Sequence, residues 1–410
     1  MRKALLYVIF TLSACLSMSA QTLSDSITAS LLTCSPGTEV YSLYGHTALR
    51  IRNHTQHADV VFNYGVFDFK RPNFTWHFIL GECDYRVEAY DFDRFLSDYA
   101  QRGSWVIEQV LNLTQEEANR LYALLMINCQ PENKVYRYNF LTNNCTTKAR
   151  DMIEDAVMGH VAYGEAKEHF TYRQLLHRYT ENYPWAEQGN DILLGADCDT
   201  LLTDHAAQFL PEQLMRYMAQ AQIYDMQNNR RPLVASTAQL VAARKQAVPE
   251  AFPLSPLLTG LLTLAFFLLV MGLEYGVRRM MWLLDIVVMN VQGWTGALLC
   301  FMFLFSEHPS MDSNWQIWVL NPLPLIFLST VVTRAYQHRT CFYHYLNALW
   351  LILFLVAMPW IPQDFSTMTV PVTLALLTRP LSYIFNAGRI NKPTKAEKAK
   401  DNQEPKPQRT

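Results

Sequence analysis

Apolar residues follow two regimes along this chain: interleaved with polar positions up to about residue 250, then gathered into long runs from about residue 257 onward. The first regime predicts a domain with a solvated surface. The second has the continuity that a roughly 30 Å hydrocarbon core selects. Within the first, β-rich stretches at 48–52 and 60–64 flank the polar run Asn53-His54-Thr55-Gln56-His57 and predict a β-hairpin. Further β-rich stretches are read at 74–80, 85–90 and 105–113. Thr114-Gln115-Glu116-Glu117 has the Thr-x-x-Glu form of a capping box, in which each side chain satisfies the other residue's backbone N–H, and predicts a helix through 118–127. A second helix is expected to start at Cys145 or just after it, because 146–153 has helical spacing without Gly or Pro. The result is an α+β domain of about 200 residues, with a mainly helical addition over 190–221. Residues 226–256, with Asn228-Asn229-Arg230-Arg231-Pro232, read as a linker.

In the second regime, spans are read at 257–277, 283–305, 317–333, 342–360 and 367–387, each near the ~20 residues a helix needs to cross a bilayer. Asn321, Pro322 and Pro324 interrupt the third, which is either a kinked helix packed on its neighbours or a broken segment lining a polar opening. Arg379, in the last span, is expected to snorkel to the inner face or to meet a lipid phosphate.

Loop charges set the orientation. Arg278, Arg279, Arg334, Arg339 and the tail lysines Lys392, Lys395, Lys398 and Lys400 fall on one side, whereas 306–316 and 361–367 contain neither Lys nor Arg. The positive-inside rule then puts 21–256 outside the cytoplasm and the tail within it. Met1-Arg2-Lys3 followed by an apolar stretch reads as a signal peptide cleaved near Ala20; Leu12-Ser13-Ala14-Cys15 also fits a lipobox, and an uncleaved anchor is the third option. The expected organisation is a signal peptide at 1–20, an exported domain at 21–225, the linker at 226–256, a five-helix membrane domain at 257–388 and a basic tail at 389–410.

Composition narrows the chemistry. A formal net charge of -2 over 410 residues lacks the basic footprint of a nucleic-acid binder. The exported half holds Cys34, Cys83, Cys129, Cys145 and Cys198, an odd number at wide spacings that matches neither a small disulfide framework nor a zinc site. Neither a metal nor a nucleotide motif is visible, so no cofactor is expected.

Cys145 is the best candidate nucleophile, since the partial positive charge of a helix N-terminus favours thiolate; the competing fate is a disulfide or a buried thiol. His46, in Tyr44-Gly45-His46-Thr47, is the candidate base because Gly45 permits close approach at a turn-to-strand junction. His77 is the runner-up, while His54 and His57 fall in the hairpin turn, where solvation is expected. Across the hairpin, Asn63 or Tyr64 comes near His46. Asn63 is preferred as the group that orients it, because an amide oxygen accepts the imidazole N–H without adding charge. Tyr44 is a candidate oxyanion donor beside the Cys145 backbone N–H, with aromatic packing as the alternative.

Three segments, 43–51 around His46, Phe62-Asn63-Tyr64-Gly65-Val66-Phe67-Asp68-Phe69, and Asn139-Phe140-Leu141-Thr142-Asn143-Asn144-Cys145-Thr146, together resemble the Lnb lipoprotein N-acyltransferase family of Bacteroidetes. The histidine-before-cysteine order also resembles circularly permuted NlpC-type, papain-like enzymes. The resemblance implies a permuted papain-like α+β domain followed by five transmembrane helices, with Cys145 as nucleophile and His46 as base. It further implies a multi-pass inner-membrane enzyme whose catalytic domain is periplasmic and whose C-terminus is cytoplasmic. An acyl chain would pass from a membrane phospholipid through a Cys145 thioester to the N-terminal amine of a diacylated lipoprotein. Two other readings stay open from sequence: a membrane-tethered cell-wall cysteine peptidase or amidase, and a non-catalytic envelope assembly protein in which Cys145 pairs with Cys129 or another thiol.

Overall fold

The structure, a computed structural model, describes residues 26–244 and 252–386 apart from 69, 71, 166–167 and 338. The expected signal peptide, Cys15 and the basic tail lie outside the described residues. The strands are β1 (Ile27–Cys34), β2 (His46–Asn53), β3 (Ala58–Val66), β4 (Asp84–Asp91), β5 (Val106–Leu111), β6 (Val135–Arg137), β7 (Gly159–Ala162), β8 (Gln222–Asp225), β9 (Arg230–Pro232) and β10 (Val234–Val241). Seven form one antiparallel sheet in the order β10-β5-β1-β2-β3-β4-β6, and β7-β8-β9 form a small second sheet.

The exported domain's helices are α1 (Phe74–Leu80), α2 (Phe92–Arg102), α3 (Gln115–Asn128), α4 (Cys145–Ala156), α5 (Tyr172–Thr180), α6 (Pro184–Leu193) and α7 (Pro211–Gln220). One face of the large sheet buries Leu31, Leu49, Ile51 and Phe62 against Leu121 and Leu125 of α3 and Ala149 and Ile153 of α4. The opposite face buries Leu32, Ala48, Val61 and Val106 against Phe92 and Phe95 of α2. The central strands are therefore apolar on both sides, and removing that surface from water is the main force holding the layers together. The β2–β3 hairpin forms, with Asn53 opposite Ala58 and Leu49 opposite Phe62. Thr114 caps α3 through the expected reciprocal box with Glu117.

Two expectations about the exported domain are corrected. Residues 74–80, read as β-rich, form α1, because Trp76 packs on Phe301 at 5.3 Å and that tertiary contact outweighs local strand preference. The stretch read as linker contains β9 and β10; its polar residues suit an edge strand, and β10 pairs with the otherwise free side of β5. The 190–221 region is mainly helical, as expected, with two short 3-10 helices between α6 and α7.

The second half contains α8 (Pro256–Val277), α9 (Trp282–Phe305), α10 (Leu323–Tyr336), α11 (Phe342–Ala357) and α12 (Thr369–Asn386). Among the described residues, four helical segments are long and apolar enough to cross a membrane: 256–277, 282–305, 315–336 and 342–360. The third is broken, with a 3-10 turn at Trp315–Trp318 before α10. Protein groups take the carbonyls that the break frees: Trp350 Nε1 donates to Trp318 O at 2.7 Å and Gln292 Nε2 to Val319 O at 2.9 Å.

Arg379 neither snorkels nor reaches for lipid. It is buried between Glu274 of α8, at 2.9 Å, and Asp285 of α9, at 2.6 Å. The outward loops grip the exported domain: Asn314 Nδ2 donates to Ile192 O at 2.8 Å, Gln363 Nε2 to Leu194 O at 3.2 Å, and the Glu307 N–H to Leu80 O at 2.8 Å.

Candidate active site

β2 and β3 pair from the turn as far as Leu49 and Phe62 and no further, although both strands continue. Toward His46 and Asn63 the N-terminus of α4 packs against them, and the Thr146 hydroxyl meets that of Thr47 at 3.1 Å. The helix starts at Cys145 because Asn144 caps it: the Asn144 amide oxygen accepts from the N–H groups of Thr146 and Thr147 at 2.8 and 3.0 Å. The Thr147 hydroxyl in turn accepts from Asn144 N–H at 2.9 Å. Asn144 Nδ2 donates to Phe140 O and Phe209 O, anchoring the cap in the core. Cys145 N–H, in the first helical turn, is a donor for which the helix itself has no partner.

His46 Nε2 donates to Asn63 Oδ1. The imidazole also lies close enough to Cys145 for the charges of the two groups to be coupled. The Cys145 sulfur lies 3.9 Å from the Thr146 hydroxyl, and the Thr47 N–H also favours its thiolate. Burial pushes the thiol's pKa up, but the charge and hydrogen bond of His46, with the Thr47 N–H and the Thr146 hydroxyl, more than reverse this and hold it below the ordinary value. For His46, burial works against the charged form, yet Cys145 and the Asn63 hydrogen bond leave its pKa raised. Each partner favours the other's charge, the condition for a thiolate–imidazolium pair. Both residues are part-buried rather than sealed in the core.

Gly65 completes the approach. It sits at an irregularity between β3 and β4 with φ at +85°, and a Cβ there would lie 3.5 Å from the Cys145 Cβ. From this point an aromatic wall runs outward: Tyr138 stacks on Tyr85 at 4.3 Å, Tyr85 on Phe67 at 5.0 Å, and Phe67 meets the exposed Tyr41 at 6.1 Å. Behind His46, Tyr99 lies parallel to its ring at 6.4 Å. Cys34, opposite His46 on β1, is fully buried, and burial pushes its thiol up despite a hydrogen bond with Tyr99. The neighbouring cysteine is thus kept neutral.

The structure therefore brings together Cys145, His46 and Asn63, residues separated by up to 99 positions. It does not bring Tyr44 to them. Tyr44 packs on Phe140 and Tyr179, its hydroxyl accepts from Asn190 Nδ2 at 2.5 Å, and burial pushes its pKa up to about 12. The expected oxyanion role is corrected: aromatic packing around α5 and α6 claims this ring. His77 is held by Glu82 at 2.7 Å, and His54 and His57 are exposed in the hairpin turn. Sequence reasoning missed Thr47, Gly65, Tyr136 and Tyr138; the Tyr-x-Tyr alternation at 136–138 is a signal of a strand but not of what that strand faces. The described cysteines are free, Cys145 among them. Two carboxylate–histidine clusters, at Asp151, Glu154 and His205 and at His177, Glu187 and Asp191, each include an acid bound by an arginine, Arg150 or Arg173.

Residues 17–178 match the family model described as the Lnb N-terminal periplasmic domain, and residues 248–389 match the one described as the Lnb transmembrane domain, whose short name denotes five transmembrane helices. No curated protein and no solved structure matches the chain.

Proposed function

Because the chain belongs to the Lnb family and is a multi-pass membrane protein with a periplasmic domain, we propose that it is a cysteine-dependent lipoprotein N-acyltransferase of the bacterial inner membrane. The observation that carries this reading is where the reactive pair opens. Tyr138, beside Gly65 and Cys145, follows Arg137, and Arg137 is ion-paired to Glu307, just past the outer end of α9. This ion pair supports the reading, because it ties the wall beside the thiol to the end of a candidate membrane span. The loops docked on the exported domain, 306–316 and 361–367, are those without Lys or Arg, which favours a cytoplasmic C-terminus.

In the first step the Cys145 thiolate attacks the carbonyl carbon of a phospholipid acyl ester. As the ester C–O bond breaks, the lysophospholipid oxygen takes the proton held by His46, and a thioester remains. In the second step the neutral α-amine of a diacylated lipoprotein attacks the thioester. His46 accepts the amine proton, the C–S bond breaks, and the thiolate returns. Asn63 keeps the imidazole facing the sulfur throughout, and Cys145 N–H stabilises the carbonyl oxygen. No metal or organic cofactor takes part.

The membrane domain has an energetic reason to adjoin this site. At about 0.8 kcal/mol per CH₂, drawing a long acyl chain into water costs on the order of 10 kcal/mol, which a surface continuous with the bilayer avoids. The test incubates purified protein with phospholipid and a diacylated lipopeptide, followed by mass spectrometry. One acyl chain is expected on the lipopeptide amine, absent with Cys145→Ser and His46→Ala. Retained transfer by folded Cys145→Ala refutes the mechanism.

A further inference from the structure

Tyr136 projects from β6 toward the thiol, and its hydroxyl is buried with no hydrogen-bond partner of good geometry among the described residues. Such an atom is costly in a folded protein and calls for an explanation. The backbone beside it is informative. The Gly65 backbone N–H approaches the phenol oxygen, and since that group is itself a donor, the phenol's proton is left without an acceptor. A single point, the Cβ position of Gly65, lies 4.0 Å from the Tyr136 oxygen and 3.5 Å from the Cys145 Cβ, so the hydroxyl and the nucleophile converge there. Tyr138 meets the same point with a ring carbon, at 3.8 Å, and contributes surface rather than a donor. The Tyr136 ring is held by Tyr64, edge-on at 6.1 Å, and by the Lys148 ammonium 5.2 Å from its centre.

On the thioester reading above, we propose that Tyr136 is a catalytic residue that donates a hydrogen bond to the oxyanion formed when Cys145 attacks an acyl carbonyl. The S–C bond forms, the carbonyl π pair moves onto oxygen, and that oxygen is held between Cys145 N–H and the Tyr136 hydroxyl. When the carbonyl re-forms, the ester oxygen leaves with the proton from His46, and Tyr136 keeps its own. A donor already aimed and desolvated costs no reorganisation at the moment of reaction, which is why such groups act on kcat. The orphaned hydroxyl is satisfied only while the tetrahedral intermediate exists.

The test is Tyr136→Phe, which retains the ring and deletes only an unpartnered oxygen, with Tyr224→Phe, whose ring stacks on His160 in the small second sheet, as control. Three rates are compared: iodoacetamide alkylation of Cys145, acylation of Cys145 by a p-nitrophenyl ester seen by intact mass, and transfer from phospholipid to a diacylated lipopeptide. Removing one oxyanion donor is expected to lower kcat and acylation by roughly 100-fold, with alkylation and KM within about twofold of the parent, because the thiolate and ground-state binding are untouched. Tyr224→Phe keeps near-parental rates. Parental acylation in folded Tyr136→Phe overturns the proposal, as does a fall in alkylation as large as the fall in acylation. If the parent is acylated by the p-nitrophenyl ester but transfers nothing from phospholipid, the function reading fails and Tyr136 is judged on acylation alone. If the parent forms no thioester from either donor, both fall.

Discussion

His46 donates its Nε2 proton to the amide oxygen of Asn63, an acceptor that orients the ring without adding charge. The imidazolium is therefore stabilised by the thiolate rather than by a buried carboxylate. Replacing Asn63 with Ala frees the ring to turn away, and misplacement of this kind is expected to lower kcat on the order of 10- to 100-fold. Asn63→Asp instead adds a charge that raises the His46 pKa further, moving the limb of the kcat/KM profile assigned to His46 to higher pH. A pH–rate series on both variants separates loss of orientation from change of charge.

The directions of the two pKa shifts define a window. Cys145 is held below its ordinary value and is thiolate above that lowered pKa; His46 is raised and is imidazolium below that raised pKa. The ion pair exists between them, so iodoacetamide should alkylate Cys145 readily below the ~8.5 of a free thiol. In His46→Ala the partner is gone and burial dominates, so the thiol moves upward and alkylation at pH 6.5 is expected to fall at least about tenfold. Equal rates for parent and variant would rule out the pair.

Asn314, nearly fully buried, bonds the carbonyls of Ile192 and Leu193 through its amide nitrogen and accepts from Gln316 N–H at 2.9 Å. Asn314→Ala leaves these groups unmet at a cost of about 1–3 kcal/mol, concentrated where the exported domain meets the membrane domain. Hydrogen exchange is expected to rise around 192–195 and 310–316. Transfer from phospholipid should fall while Cys145 alkylation stays parental, since the reactive pair is built within the exported domain.

Arg379 is the cation for two buried acids, and neighbours complete the network: the Ser382 hydroxyl donates to Glu274 at 2.5 Å and that of Tyr383 to Asp285 at 2.5 Å. Arg379→Leu leaves two uncompensated carboxylates between α8, α9 and α12 and is expected to cost about 3–5 kcal/mol. The fall in thermal midpoint in detergent measures it. Adding Glu274→Gln and Asp285→Asn should recover much of the loss, because the penalty comes from unpaired charge and not from lost volume.

The mixed α+β and membrane halves were legible because hydrophobic period and run length are local properties. So were the cap of α3 and the start of α4 at Cys145, each written in a few adjacent residues. Signals failed where packing against a distant segment decided the outcome. Residues 74–80 have strand-like composition and became helix beside α9; β10 looked like linker until it had β5 to pair with; Arg379 looked like a snorkelling cation or a lipid-phosphate contact until α8 and α9 supplied its acids.

The same division runs through the candidate site. The sequence by itself determined that a cysteine would open a helix and that a histidine would stand at a glycine turn before a strand, since capping and turn geometry involve only near neighbours. Only the tertiary structure decided that His46 meets that cysteine, that Tyr44 turns away to Asn190, and that Tyr136 leaves a buried hydroxyl beside the thiol. Those contacts join β2, β3, β6 and α4 across nearly a hundred residues, and burial of the shared core, not any local preference, selects which side chains converge.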